Sequence, residues 1–164
     1  MTRKEPGTPA TVALRAAGIT FTAHAYDHDP RNSSYGEEAA AALGLSTAEV
    51  FKTLLAMVDS RPVVGIVPVT GSLDLKALAV AAGGRRAEMA DAAAAQRLTG
   101  YVLGGISPIG QKRQLPTFVD VSAETLAAVY VSGGRRGFDI GLAPVDLISV
   151  TDGRYAPIAR PGPH

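Results

Sequence analysis

Cysteine is absent from the 164 residues, which excludes disulfides, thiolate metal sites and a cysteine nucleophile. No long apolar run and no signal-like start are present, so a soluble, cytoplasmic protein with no membrane partner is expected. An excess of charge of one sign is also lacking: 16 Lys+Arg against 15 Asp+Glu leave a net charge of +1. That balance gives no broad cationic field, so a nucleic-acid partner would have to be held by local patches. Lys112-Arg113 and Arg135-Arg136 are the candidates, although such pairs also read as solvated surface. Aromatic residues are scarce, at 5%, while 18 glycines and 11 prolines punctuate recurring apolar runs. Turns rather than disorder follow from that spacing. With 46% hydrophobic residues, the chain suffices for a single domain spanning 1–164 with a real core.

Helices and short strands alternate along the chain. Thr8 to Ala17 reads as a packing helix capped by Thr8, with Pro9 at its first position and Gly18 as its stop. Phe21 to Tyr26 alternates as a strand, Asp27 to Ser34 as a polar loop, and Ser34 to Leu43 as a helix ending at Gly44. A short helix around Ala48 leads into a strand over Val50 to Val58, and Val63 to Val69 is a further strand bounded by Pro62 and Pro68. Leu73 to Ala82 is an amphipathic helix stopped by Gly83-Gly84, with Asp74 and Lys76 spaced as a local ion pair. Ala90 to Leu98 is another helix. Tyr101–Leu103, Thr117–Asp120, Ala128–Val131 and Asp139–Leu142 read as strands, with a helical turn near Glu124 and a last strand near Ile148. The mixture predicts an α+β fold: a curved mixed β-sheet or partial barrel surrounded by helices.

Lys52 interrupts the apolar run Val50 to Val58. Strand alternation places Val50, Lys52 and Leu54 on one face and Phe51, Thr53 and Leu55 on the other. An ammonium there must snorkel, pair, or face a polar cavity, because leaving it buried and unpaired costs several kcal/mol by order of magnitude. A lysine that blunts a strand edge is the structural alternative. Downstream, the loop Gly100 to Arg113 holds Gly104-Gly105, whose backbone can approach a ligand closely and aim N–H groups at a phosphate or a developing oxyanion. It lacks the spacing of a Walker or dinucleotide loop, and a bulge and turn would also account for it. The segment Val131 to Ile140 reads as a hairpin with Ser132, Gly133, Gly134, Arg135 and Arg136 at its tip and Asp139 beyond, a tip suited to a ribose and phosphate or to nothing more than a turn. His24 and His28 lie across a strand and a loop without a third ligand, so no metal site is expected. His164 ends the chain, where mobility is expected.

Several strings in one order carry a resemblance: Tyr26 to Pro30, Lys52-Thr53-Leu54-Leu55, Leu73-Asp74-Leu75-Lys76, Glu88-Met89-Ala90-Asp91, Gly104-Gly105-Ile106-Ser107-Pro108 with Gly110-Gln111-Lys112, and Tyr130-Val131-Ser132-Gly133-Gly134. From about Val12 to Arg160 the chain resembles the YbaK/EbsC family of trans-acting Cys-tRNA(Pro) deacylases, within the editing-domain superfamily that includes the prolyl-tRNA synthetase insertion domain. The resemblance implies a pocket for the aminoacylated 3′-terminal adenosine of tRNA, with no cofactor. Its catalytic positions fall on Lys52, Gly104, Ser132 and Asp139, and its pocket positions on Tyr26, Tyr35, Thr53, Gly105, Gly133 and Gly134. Tyr35 stands where relatives often carry phenylalanine, which leaves side-chain preference open.

The resemblance also implies a chemistry that needs no protein nucleophile: the substrate's own thiol attacks its carbonyl and leaves as a thiolactone, with Gly104 and Gly105 binding the oxyanion and Lys52 orienting the tRNA end. Two alternatives stand beside it. One is a deacylase for another misacylated tRNA such as Ala-tRNA(Pro), using water and a general base. The other is a non-catalytic tRNA or nucleotide-binding module. A small, nearly neutral domain has no anticodon-reading surface, so prolyl-tRNA synthetase is an expected partner.

Overall fold

The computed structural model describes residues 7–161; His164 lies outside them. In chain order the elements are α1 (Pro9–Ala16), β1 (Thr22–Ala25), α2 (Tyr35–Leu43), β2 (Phe51–Val58), β3 (Arg61–Pro68), β4 (Gly71–Leu73), α3 (Leu75–Ala81), β5 (Ala87–Met89), α4 (Ala92–Thr99), β6 (Thr117–Asp120), a 3₁₀ turn (Val121–Ala123), β7 (Val129–Arg135), β8 (Phe138–Leu142), α5 (Pro144–Thr151), β9 (Arg154–Ala156) and β10 (Ala159–Pro161). The fold is α+β, with a mixed five-stranded sheet in the order β5-β2-β3-β6-β9, a three-stranded sheet β1-β8-β7 and a two-stranded pair β10-β4. In the large sheet β2 runs antiparallel to β3 and β5, whereas β3-β6 and β6-β9 are parallel. A bridge between Val50 and Tyr130 joins the start of β2 to β7.

Side-chain alternation sorts the residues of the large sheet onto two faces. Phe51, Leu55, Val64, Ile66 and Val119 turn toward Val129, Val131, Phe138 and Ile140 of the small sheet, with Ala10 and Leu14 of α1 and Leu147 of α5 completing that core. Ala56, Val58, Val63 and Val67 point the other way and pack with Leu78 of α3 and with Ile158. Gly65 lies on this second face, where an added Cβ would come within 2.9 Å of Leu73. The last strands are held by Asp120, whose buried carboxylate accepts the N–H groups of Ile158 and Ala159 at 3.0 and 2.9 Å.

Several expectations change. The segment near Ile148 is helix α5 rather than a strand. Its β-branched residues suggest a strand, but Pro144 starts a helix and Pro144, Leu147 and Thr151 bury at helical spacing. Tyr101–Leu103 is not a strand: Gly100 ends α4 in the left-handed conformation, the Tyr101 hydroxyl donates to the Ile109 carbonyl at 2.6 Å, and Val102 and Leu103 are exposed. The segment around Ala48 is a turn, not a helix, because the Glu49 carboxylate and the Ser46 hydroxyl take the local N–H groups at 3.1 and 3.2 Å. Pro62 and Pro68 lie within β3, which is tolerated because the ladder to β6 spans only Val64 to Ile66. Leu73 ends β4, and Asp74 caps α3 through the Ala77 N–H at 3.0 Å while facing Arg160 at 3.6 Å rather than Lys76.

Candidate active site

A cavity of about 290 Å³ opens where the two sheets meet. Its walls come from the end of the β1–α2 loop and the first turn of α2 (Ser33 to Glu37), the start of β2 (Val50 to Leu54), the glycine-rich loop (Leu103, Gly104, Ile106), and Tyr26, Ser132 and Asp139 of the small sheet and its approach. Lys52 and Asp139, far apart in the chain, thus border one space. Burial pulls the Lys52 ammonium below its usual pKa, against the opposing charge of Glu37 in the first turn of α2. Burial also pushes the Asp139 carboxyl up to about 7; the residue is 6% exposed and, among the described residues, forms no ion pair. Burial, then the charges of Asp139 and Glu38, push the Tyr26 phenol up to about 12. Thr53 Oγ1 is buried without a hydrogen-bond partner, an orphaned polar atom at the cavity wall of the kind that a substrate group satisfies.

The β7–β8 hairpin sets Ser132 opposite Asp139. A register shift between Ser132 and Arg135 takes up Gly133 and Gly134 as a bulge, and the Ser132 hydroxyl accepts the Gly134 N–H at 3.2 Å. The helix α1 does more than pack: the Thr8 hydroxyl caps α1 by accepting the Thr11 N–H at 3.2 Å and donates to the Gly133 carbonyl at 2.5 Å. In the glycine-rich loop the Gly105 N–H donates to the Val102 carbonyl at 2.9 Å, so of the two glycines expected to bind an oxyanion only Gly104 has an N–H uncommitted among the described residues. Gly105 stands behind the wall, where a Cβ would meet the Arg135 backbone at 2.7 Å, and Gly133 and Gly134 shape the hairpin from behind in the same way. Seven of the ten expected site residues therefore line the cavity and three support it.

Sequence reasoning misses Glu37, whose place in the first turn of α2 is the signal for it, and the braces around Tyr35. The Tyr35 ring centroid lies 5.6 Å from that of His28, and the Arg136 guanidinium stands over the ring at 5.3 Å. His28 Nδ1 contacts Glu38 Oε1 at 2.6 Å, and the Asp29 N–H donates to Glu38 Oε2 at 2.8 Å. Burial pushes the Glu38 carboxyl up, but the bonds from His28 and the Asp29 N–H outweigh it and hold the group below its ordinary pKa. The other histidine, His24, contacts the Thr22 hydroxyl at 2.8 Å, and among the described residues no three His, Asp or Glu side chains converge as metal ligands.

Comparison with known proteins places this geometry. A protein of Enterococcus faecalis named as a Cys-tRNA(Pro)/Cys-tRNA(Cys) deacylase, EbsC, is 42% identical over 123 residues, covering 74% of this chain and 75% of its own. The crystal structure of the hypothetical protein APE2540 superposes with a TM-score of 0.83 at 25% identity, over 93% of this chain and all (100%) of that one. A structure described as a trans-editing enzyme for prolyl tRNA synthetase shares the fold with a TM-score of 0.80 at 22% identity, over 93% of this chain and 95% of that one. Residues 29–150, which include nine of the ten cavity and support positions named above, all but Tyr26, match the aminoacyl-tRNA editing domain, and the chain belongs to that family.

Proposed function

We propose that the chain hydrolyses the ester of mischarged Cys-tRNA(Pro) in trans, as part of translation in the cytoplasm. The observation that carries this reading is the convergence of Lys52, Asp139, Ser132 and the Gly104 backbone on one cavity, in a chain related to a protein named as a Cys-tRNA deacylase. The cavity suits an aminoacyl group and part of its ribose, while the rest of the tRNA stays outside. Lys52 orients the tRNA end and offsets negative charge, the Gly104 N–H donates to the carbonyl oxygen as charge develops there, and Ser132 and Tyr26 place the ribose end. The substrate thiol attacks the carbonyl carbon: a C–S bond forms, the ester C–O bond to the ribose breaks, and cysteine thiolactone and free tRNA result. Asp139, ionised above pH of about 7, takes the thiol proton and returns it to the ribose oxygen as that oxygen leaves, so the carboxylate is restored.

The same carboxylate favours a second reading, in which it activates a water against another misacylated tRNA such as Ala-tRNA(Pro). Deacylation of Cys-, Ser- and Ala-tRNA(Pro) by the wild type and by Lys52→Ala separates the possibilities. Hydrolysis of the cysteine ester alone, reduced at least roughly a hundredfold in the variant, supports thiol-assisted editing. Hydrolysis of the serine or alanine ester assigns the attack to water, and hydrolysis of none would leave a binding module. Prolyl-tRNA synthetase is the proposed partner, since the near-neutral charge offers little with which to select a tRNA body.

A further inference from the structure

We propose that Arg136 is a positioning residue for this reaction, acting through the Leu103–Gly104 peptide to aim the Gly104 N–H at the substrate carbonyl; the proposal rests on the deacylase reading above. Val102 to Gly105 form a turn closed by the Gly105 N–H on the Val102 carbonyl at 2.9 Å, with Gly104 at a φ of +86°. A positive φ at the third residue alone is the mark of a type II turn, which differs from type I chiefly in the rotation of its central peptide. Glycine at that place tolerates either rotation at little cost. An additional contact must therefore select one of them.

Arg136 supplies that contact from a different part of the chain. Its Nε donates to the Leu103 carbonyl at 2.7 Å. Leu103 C=O and Gly104 N–H belong to one planar trans peptide and point in opposite directions, so holding the oxygen on the hairpin side fixes the direction of the N–H. Among the described residues that N–H has no partner, and Gly104 lines the cavity. The guanidinium also stands 5.3 Å from the centroid of the Tyr35 ring, and this ring packs against Gly104 so closely that a Cβ there would lie 2.7 Å from it. Arg136 thus holds both the turn and the ring that backs it. A charge-assisted bond to the carbonyl further polarises the peptide and strengthens the N–H as a donor to a developing oxyanion.

Single-turnover deacylation of Cys-tRNA(Pro) is to be measured for the wild type, Arg136→Ala and Arg136→Lys, beside the ¹⁵N shift of the Gly104 amide in each folded protein. The expected result for Arg136→Ala is a maximal rate lower by roughly ten- to a hundredfold, a half-saturating concentration within about twofold of wild type, and a displaced Gly104 resonance. Arg136→Lys, which can still donate to the Leu103 carbonyl, is expected to recover much of the rate and the resonance. A raised half-saturating concentration with an unchanged maximal rate would overturn the proposal and make Arg136 a phosphate contact. An unmoved Gly104 resonance in Arg136→Ala would overturn it as well. If the wild type hydrolyses no ester, the deacylase reading fails, and the Gly104 shift alone decides whether Arg136 sets this peptide.

Discussion

Asp139 is the residue at which stability and chemistry pull in opposite directions. A carboxyl pushed up to about 7 by burial binds its proton more tightly folded than unfolded, where the value is about 4. Its contribution to stability is therefore intact below a pH of about 4 and lost progressively as the pH rises to about 7, beyond which the loss is constant. Asp139→Asn removes the ionisation. The substitution is expected to raise Tm more at pH 8 than at pH 5, by an increment worth a few kcal/mol in order of magnitude, while deacylation falls. Thermal unfolding of both proteins at the two pH values checks this, and equal Tm differences would show that the carboxyl does not titrate as stated. In the wild type, kcat/KM should fall on the acid side with an apparent pKa near 7, since that ratio reports the free enzyme. Sequence makes both Asp139 and Lys52 visible as charges in apolar strands. It does not reveal that, among the described residues, Asp139 has no ionic partner, because that depends on what distant segments bring to its side of the cavity.

Between elements, the site is held by contacts that local pattern cannot supply. Thr8 is legible as the cap of α1 from Thr8-Pro9 alone, yet its hydroxyl also donates to the Gly133 carbonyl, 125 residues away. Thr8→Ala loses both the cap and the tether of the hairpin. A cost of about 1–2 kcal/mol is expected from the cap alone, together with reduced deacylation as Ser132 loosens, whereas Thr8→Ser should restore both. An unaltered denaturation midpoint in Thr8→Ala would show that the tether carries nothing. The helices with a cap or a glycine stop, α1, α2, α3 and α4, are where sequence and structure agree best, since those signals act within a turn of the chain. The β7–β8 hairpin is similarly local. The parallel pairings of β3 with β6 and of β6 with β9 join segments distant in sequence, and the short β5 follows a glycine pair that hides its pairing with β2. At Ile148 and Tyr101 the apolar composition fits strand and helix or turn alike, and tertiary packing decides between them.

For the whole molecule, the question is what a protein with one surplus positive charge can read on a large polyanion. The proposed reading puts only an acyl group and a sugar in the cavity, and with Arg136 held on Leu103 and Tyr35 the exposed basic residues left near the two loops are few: Lys112, Arg113 and Arg135. Release of counterions from about three phosphates of a single-stranded end limits the salt dependence to a log–log slope of about 2 in magnitude. Contacts restricted to the acylated end also cannot distinguish two tRNA bodies that share that end. The isolated protein is therefore expected to deacylate Cys-tRNA(Pro) and Cys-tRNA(Cys) at rates within a few fold of each other, with a shallow rise of KM with salt. On the partnership proposed above, adding prolyl-tRNA synthetase should favour the proline tRNA, because a synthetase bound to the same tRNA would supply contacts to its body. Titration of both substrates across salt concentrations, with and without the synthetase, measures each part of that expectation. A steep slope, or strong preference for one tRNA by the protein alone, would mean that a recognition surface extends well beyond the cavity and its two loops.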